Sequence, residues 1–197
     1  MKQWDSLEQL RDILKEEIPG KRYRHTLGVE KEAVRYAKKL GGDTYKAAVA
    51  GLLHDVTKCV PNDQQLAYLD AHNVPVTPLE RANSKLYHAM SGAAVAKYEY
   101  GVEDQEILDA IRYHTTLRED MTLLDQIIYM ADFTEETRDY DDVDKLRKLA
   151  DKDFVGGLIY ALDYSICEVV EFEGLLHPQT VAARNQLVMQ RMQETRE

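Results

Sequence analysis

Cysteine and long apolar runs are scarce in this sequence, and its 25 basic residues are outnumbered by 35 acidic ones. The only two cysteines, Cys59 and Cys167, are far apart, which excludes a disulfide framework and a CxxC pair. No apolar run approaches the roughly 20 residues that cross a bilayer, and the N-terminus lacks a signal-peptide apolar segment, so we expect a cytoplasmic protein without membrane contact. The net charge of −10 argues against long nucleic acid as a partner. A small phosphorylated ligand stays compatible with it, because a metal and a few cations can form a local positive pocket.

The chain also lacks a convincing strand, an internal repeat and a low-complexity tract. Apolar residues make up 44% and charged residues 30%, an ordinary globular composition. With 197 residues we expect a single domain over 1–197. Apolar periodicity predicts an all-α fold with an irregular connection at about 73–83. The ten predicted helices cover about 7–18, 22–40, 43–55, 63–71, 84–100, 104–114, 122–133, 143–150, 154–173 and the residues from 180.

A His-Asp pair lies at the end of one predicted helix. His54 shares a helix face with Ala47 and Gly51, so its side chain points inward. Neighbours on a helix diverge by about 100°, so His54 and Asp55 can face one centre only where the helix ends. Pro61 indicates such an end shortly afterwards. Because imidazole and carboxylate together suit iron, manganese, zinc or cobalt, the pair predicts part of a metal site.

Other predicted helices place further histidines on their apolar faces, namely His25, His88 and His114. Asp132 ends an apolar row, and a buried carboxylate is costly unless it is paired or metal-bound. Any one of these histidines alone is better explained as a hydrogen-bonded core residue. Four histidines together with two inward carboxylates are difficult to explain in that way. The whole set therefore predicts a metal centre.

These residues carry a resemblance to a known family. The order His25, His54-Asp55, Asp132 resembles the H…HD…D signature of the HD-domain metal-dependent phosphohydrolases, whose fold is a helical bundle. A closer similarity is to the YqeK branch, which hydrolyses diadenosine tetraphosphate symmetrically to two ADP. It rests on the motifs Arg22-x-x-His25, Leu53-His54-Asp55-x-x-Lys58, His88-Ala89-x-x-Gly92-Ala93, His114-Thr115-Thr116, Ile128-Tyr129-x-Ala131-Asp132-x-x-x-x-x-Arg138 and His177-Pro178-x-Thr180-x-x-Ala183-Arg184-Asn185.

The motifs span about 22–185, which we therefore expect to be the metal and nucleotide core, with peripheral helices at both ends. One position departs from the family pattern. Family members usually have a short apolar side chain two residues after the Asp of the HD pair, where this chain has Thr57. We expect this difference to have little effect.

The resemblance implies one transition-metal ion and a nucleotide site. Iron is favoured, with manganese, cobalt or zinc as alternatives, and the implied ligands are His25, His54, Asp55 and Asp132. The diphosphate is expected near Arg22, Lys58, His88, His114, Thr115 and Arg138, and the base against Leu175, Leu176, His177, Pro178, Gln179 and Thr180. Three of the metal ligands, His25, Asp55 and Asp132, count among the nucleotide-binding residues as well. Arginine and lysine are expected beside the metal because two carboxylates offset much of its charge.

The mechanism that we expect is attack of a metal-activated water on a central phosphorus, with ADP as the leaving group. Asp55 or Asp132 would take the proton of the water, and His88 or His114 would donate one to the leaving oxygen. Lys58 would stabilise the leaving group. The expected catalytic residues are thus Asp55, Lys58, His88 and His114.

The sequence leaves several alternatives open. His88 and His114 are phosphate donors or, as in other HD enzymes, ligands of a second metal bridged by Asp55; we favour donors because small or hydroxyl residues follow both. The substrate could be another nucleotide, or the chain could be a module that senses ADP or GDP. A purely structural metal is disfavoured because such sites are usually rich in cysteine. The sequence makes no prediction of oligomeric state.

Overall fold

The computed structural model describes residues 1–194, and within this range the chain is all-α, without a β-strand. The predicted fold class is confirmed. A 3-10 turn, Ser84–Leu86, precedes the sixth of the eleven α-helices found between residues 1 and 194. The helices are α1 (Leu7–Glu17), α2 (Gly20–Leu40), α3 (Thr44–Leu53), α4 (Asn62–Ala71), α5 (Pro78–Ala82), α6 (Tyr87–Tyr98), α7 (Gln105–Arg112), α8 (Leu123–Thr134), α9 (Val143–Lys152), α10 (Phe154–Glu171) and α11 (Pro178–Glu194).

Local capping residues set many of the helix ends. Ser6 accepts a hydrogen bond from the amide of Gln9 at the start of α1. Gly41 ends α2 with φ +75°, a conformation that favours glycine, and Asp43 caps α3. Because the connection between α2 and α3 is this short, the two helices form an antiparallel pair.

Two expectations about element bounds were wrong. The connection expected at 73–83 contains α5, which begins at Pro78 and is capped reciprocally by Thr77 and Glu80. α7 ends at Arg112, so His114 lies beyond the helix on which its spacing had placed it.

The centre of the fold is α3, which contacts α1, α2, α6, α7 and α8. Every residue from Ala47 to Leu53 is buried. A methyl group added at Gly51 would lie 2.9 Å from the Cα of Glu30, so α2 and α3 approach at backbone contact. The main core extends from Leu10 in α1 to Leu187 in α11. This packing holds the C-terminal end of α3 beneath the neighbouring helices. Within residues 1–194, none of the helices is both long and apolar enough to cross a membrane.

Candidate metal and nucleotide site

The chain tightens directly after α3 and turns His54 and Asp55 toward one point. Three successive backbone hydrogen bonds of the i to i+3 type follow, beginning with the amide of Val56 and the carbonyl of Leu53 at 3.2 Å. His54 is fully buried and Asp55 is nearly so. The helix end predicted from the sequence therefore brings both side chains into a single centre.

The first side of this centre is formed by α2, α3 and α8. The Nε2 atoms of His25 and His54 lie 3.3 Å apart, and Asp55 Oδ2 lies 3.6 Å and 3.5 Å from them. Asp132 Oδ1 lies 3.1 Å from His25 Nε2 and 3.9 Å from His54 Nε2. The four residues expected to bind a metal are thus close enough for one ion to contact them together, and His25, His54 and Asp55 form a compact group.

The second side is formed by Asp55, α6 and the chain after α7. The Nε2 atoms of His88 and His114 are 3.2 Å apart, and Asp55 Oδ1 lies 3.4 Å and 3.6 Å from them. These three buried residues form a second group that could hold a metal. Lys58 Nζ lies 3.0 Å from His88 Nε2. Asp55 is shared by both groups, as the two-metal alternative requires.

Hydrogen bonds of the Nδ1 atoms orient three of the four imidazole rings, while their Nε2 atoms face the carboxylates. Nδ1 of His54 lies 2.7 Å from the carbonyl oxygen of Gly51, and Nδ1 of His114 lies 2.7 Å from that of Ile111. Carbonyl oxygens only accept, so in both rings Nδ1 carries a proton and Nε2 faces the carboxylates. A carboxylate oxygen and Nε2 attract each other only when a cation, either a metal ion or a proton on Nε2, lies between them.

Glu135 orients the third ring, and sequence reasoning missed it. Its Oε1 lies 3.0 Å from Nδ1 of His25, and the carboxylate also accepts from the amide and hydroxyl of Thr137 at 2.7 and 2.6 Å. Gly28 leaves it room, since a methyl group there would lie 2.3 Å from Oε2. Arg147 holds the chain around Glu135 by donating to the carbonyl oxygens of Thr134, Glu135 and Arg138. The available signal was a carboxylate three residues after Asp132.

Two arginines join the centre beside the carboxylates. Arg22 Nη1 donates to Asp55 Oδ2 at 2.5 Å, and Arg138 donates to the carboxylate and the backbone carbonyl of Asp132. The pKa of Asp55 lies well below its ordinary value: burial raises it, but His54 and His114 outweigh burial. The pKa of Asp132 is also lowered, because Arg138 and His25 outweigh the burial that raises it. Both carboxyl groups are therefore ionised and available to a cation.

His88 differs from the other histidines. Burial lowers the pKa of His88 well below its ordinary value, and His114 and Lys58 lower it further. Its Nδ1 has no backbone carbonyl partner among the hydrogen bonds of residues 1–194 and lies 3.4 Å from Lys58 Nζ. His88 is therefore neutral and keeps a choice of tautomer that His114 lacks.

Thr57, the departure from the family pattern, connects the His-Asp turn to α6. Its hydroxyl lies 3.0 Å from the carbonyl oxygen of His88 and 2.8 Å from the Ser91 hydroxyl. Ser91 in turn donates to Gln65, whose amide donates to the carbonyl oxygen of Val60. Sequence reasoning did not find this network, because its members lie on three separate elements. That the departure has little effect stays a prediction.

The segment expected to contact the base lies apart from the histidines. Asn83 Nδ2 donates to the carbonyl oxygen of Leu175 at 3.3 Å, and His177 lies near Glu80 and Arg112. No hydrogen bond or ion pair between described residues joins 175–180 to the histidine cluster. Pro178, Gln179 and Thr180 form the first turn of α11, a helix N-terminus. Thr115, also expected at the nucleotide, has a buried hydroxyl without a hydrogen-bond partner within residues 1–194.

Comparison with known proteins decides the family. A model of the HD domain matches residues 22–152. The chain is 36% identical over 181 residues to the symmetrical bis(5'-nucleosyl)-tetraphosphatase of Bacillus subtilis, with 92% of this chain and 97% of that protein covered. A protein of the same name from Halalkalibacterium halodurans is 34% identical over 178 residues, with 90% and 95% covered. The chain belongs to the YqeK family of HD-domain phosphohydrolases.

The fold of this YqeK-family chain agrees with a solved structure. A predicted HD superfamily hydrolase involved in NAD metabolism, from Clostridium acetobutylicum, superposes with a TM-score of 0.90 at 38% identity. The superposition covers 96% of this chain and 100% of that one. The chain is thus a hydrolase with the all-α HD fold.

The HD domain implies a bound divalent metal, and the residues present fit one. Asp55 Oδ1 is buried and has no hydrogen-bond partner within residues 1–194. An unpaired buried carboxylate oxygen is costly, and here it faces imidazole nitrogens. The donor set of imidazole nitrogens and carboxylate oxygens is one that transition metals prefer. The centre is therefore built for a cation of this class.

Proposed function

We propose that this chain hydrolyses the central phosphoanhydride of diadenosine tetraphosphate and releases two ADP. The observation that carries the proposal is the convergence of four imidazole nitrogens on Asp55, with phosphate-binding cations on either side. The names of the relatives that match almost the whole chain support the same substrate.

The residues proposed to hold the metal are His25, His54, Asp55 and Asp132, and iron is the favoured ion. When bound, a divalent metal supplies Lewis-acid chemistry: it draws electron density from a phosphoryl oxygen and makes water more acidic. Iron suits a site of mixed imidazole and carboxylate ligands, as do manganese, cobalt and zinc.

The arginines and Lys58 bind the phosphates in this proposal. Arg22 and Arg138 each use only part of their five N–H donors on Asp55 and Asp132, so donors remain for phosphate oxygens. Lys58 places a compact positive charge beside His88. These cations balance the negative charge that develops on the leaving oxygens.

The proton transfers follow from the hydrogen bonds already present. Water forms a bond to a central phosphorus, the bridging P–O bond breaks, and its oxygen leaves with the second ADP. Asp55 or Asp132, both ionised, accepts the proton of the water. His88 can place its N–H toward a phosphate oxygen, whereas the proton of His114 is held at Nδ1 by Ile111. We therefore assign to His88, which is neutral and keeps its proton, a hydrogen bond to the leaving oxygen, and to His114 an acceptor or ligand role. The ADP leaves as an anion balanced by Arg22, Arg138 and Lys58, and the proton of the water passes from the aspartate to solvent.

The direct test is incubation of the purified protein with diadenosine tetraphosphate, first with its as-isolated metal, then after chelation, and then with iron, manganese or cobalt restored. We expect ADP as the only product, lost on chelation and regained with metal. AMP plus ATP would show a different cleavage, and no turnover in folded, metal-loaded protein would refute the substrate.

The Asp55→Asn variant tests the centre itself. Because Asp55 serves both groups of ligands, we expect turnover to fall by about 100-fold or more while the helical circular dichroism stays unchanged. Asp70→Asn is the control, since Asp70 is an exposed partner of Arg81. Near-normal turnover of the Asp55 variant would contradict the proposed centre.

A further inference from the structure

An open cleft adjoins the centre on the side of His25. Its volume is about 680 Å³, within the range of ligand-binding clefts. Arg22 and His25 of α2 line one wall, and Arg138 and Tyr140 of the chain after α8 line another. Lys21 adds a further exposed cation. The cleft therefore combines the predicted phosphate-binding arginines with an aromatic ring.

The segment at 175–180 lies beside the chain that leads to His114. It contacts Asn83 and lies near Arg112, which is two residues before His114. His114 and His25 face opposite oxygens of the Asp55 carboxylate, Oδ1 and Oδ2. The segment at 175–180 and the cleft therefore lie on two sides of the centre. The segment lies toward His114, and the cleft lies toward His25.

The chemistry of the proposed substrate requires two such flanks. Central cleavage of a dinucleoside tetraphosphate leaves an identical nucleoside diphosphate on each side of the reacting bond. If one half lies toward 175–180, the other must extend past the metal ligands in the opposite direction. The cleft beside His25 is a space on that side, and its volume of about 680 Å³ can hold a nucleoside diphosphate.

We propose that this cleft binds the second nucleoside diphosphate half, with its phosphates on Arg22 and Arg138 and its base on the ring of Tyr140. The inference rests on the proposed function and adds the subsite that selects a dinucleotide over a mononucleotide. Tyr140 is held in place for stacking, because its hydroxyl donates to the carbonyl oxygen of Phe133 at 3.0 Å and its ring packs on Tyr164. Asp139, exposed at the rim, can accept hydrogen bonds from ribose hydroxyls.

The kinetic test compares two substrates that differ by one adenosine. Adenosine tetraphosphate has the same four phosphates as diadenosine tetraphosphate but lacks the second nucleoside, and central cleavage yields ADP and pyrophosphate. We expect Tyr140→Ala to lower kcat/KM about tenfold for diadenosine tetraphosphate, the usual size of one lost base stack, and to leave kcat/KM for adenosine tetraphosphate unchanged.

Matched variants separate stacking from folding. Tyr140→Phe keeps the ring and should retain the dinucleotide preference, and Tyr45→Ala removes an exposed ring outside the cleft and should change nothing. An equal loss with both substrates in Tyr140→Ala, or no loss with either, would overturn the subsite.

A binding test that needs no turnover distinguishes failure of the subsite from failure of the proposed function. Cys59 is exposed and lines the cleft, while Cys167 is exposed on α10 outside it. In the metal-loaded protein, a diadenosine tetraphosphate analogue with a central methylene bridge should slow alkylation of Cys59 by iodoacetamide several-fold and leave Cys167 unaffected. The matching analogue of adenosine tetraphosphate, with the same central methylene bridge and at equal saturation, should protect Cys59 much less. Equal protection by both compounds would place the second adenosine elsewhere.

Discussion

Glu135 determines which nitrogen of His25 faces the metal ligands, so it should influence metal affinity without touching the metal. Partners that hold a ligating imidazole typically change affinity by about 10- to 100-fold when they are lost. We expect Glu135→Gln to weaken Co²⁺ binding by about this factor and to shift the visible spectrum of the cobalt protein. Competition against a coloured chelator measures the affinity. Glu136→Gln, which changes the neighbouring exposed carboxylate paired with Lys31, is the control. Unchanged Co²⁺ affinity and an unchanged spectrum in Glu135→Gln would mean that Glu135 fills space beside His25 without influencing the metal site.

The sequence predicted the residues whose signal is local and missed those whose role depends on a loop. The structure brings together four histidines, His25, His54, His88 and His114. In the sequence, each was recognisable as a histidine on the apolar face of a predicted helix. In the sequence, Glu135 resembles any glutamate at a helix end. Its role depends on the loop that Arg147 holds in place by donating to the carbonyl oxygens of Glu135 and Arg138. Arg22 and Arg138 came from the family motifs, and the structure places both at the carboxylates.

Among the elements, the α2–α3 pair sets the distance between His25 and His54. Gly51 permits backbone contact with Glu30, and an added methyl group would force the helices apart. We expect Gly51→Ala to lower the free energy of unfolding by about 1–3 kcal/mol, as overpacked cores do. Urea denaturation measures the change. Gly20→Ala is the control, since Gly20 lies in α2 and, unlike Gly51 of α3, has open space around it. A Gly51→Ala protein as stable as the control would show that the two helices can separate at little cost.

Helix bounds were predictable where caps or glycines mark them, and less so where a side chain ends the helix. The signal for α5 was present as Thr77 three residues before Glu80, but two prolines obscured it. α7 ends early because Nδ1 of His114 donates a hydrogen bond to the carbonyl oxygen of Ile111. Leu117 adopts φ +53° soon afterwards. Tertiary demands on His114 thus override its helical spacing.

In the whole molecule, the centre joins α2, α6, α8 and the turns that follow α3 and α7 across one core, so metal binding should stabilise the entire fold. An ion at 100 times its Kd stabilises the native state by about 2.7 kcal/mol, which corresponds to roughly 5–10 °C in Tm for a chain of this size. We expect the metal-loaded protein to melt higher than the chelated protein by about that amount. The same comparison in Asp55→Asn should show little difference, since that variant lacks the shared carboxylate.

The metal content of the same samples distinguishes one ion from two. With the single ion of the proposed centre, we expect one equivalent per chain, lost in His25→Ala and retained in His114→Ala. The His88–His114 group has a nitrogen separation of 3.2 Å, close to the 3.3 Å of the His25–His54 group, so its geometry is equally suited to a metal. Two equivalents in the native chain, with one lost in His114→Ala, would show that a second ion is bound and bridged by Asp55. That result would contradict the donor role of His88.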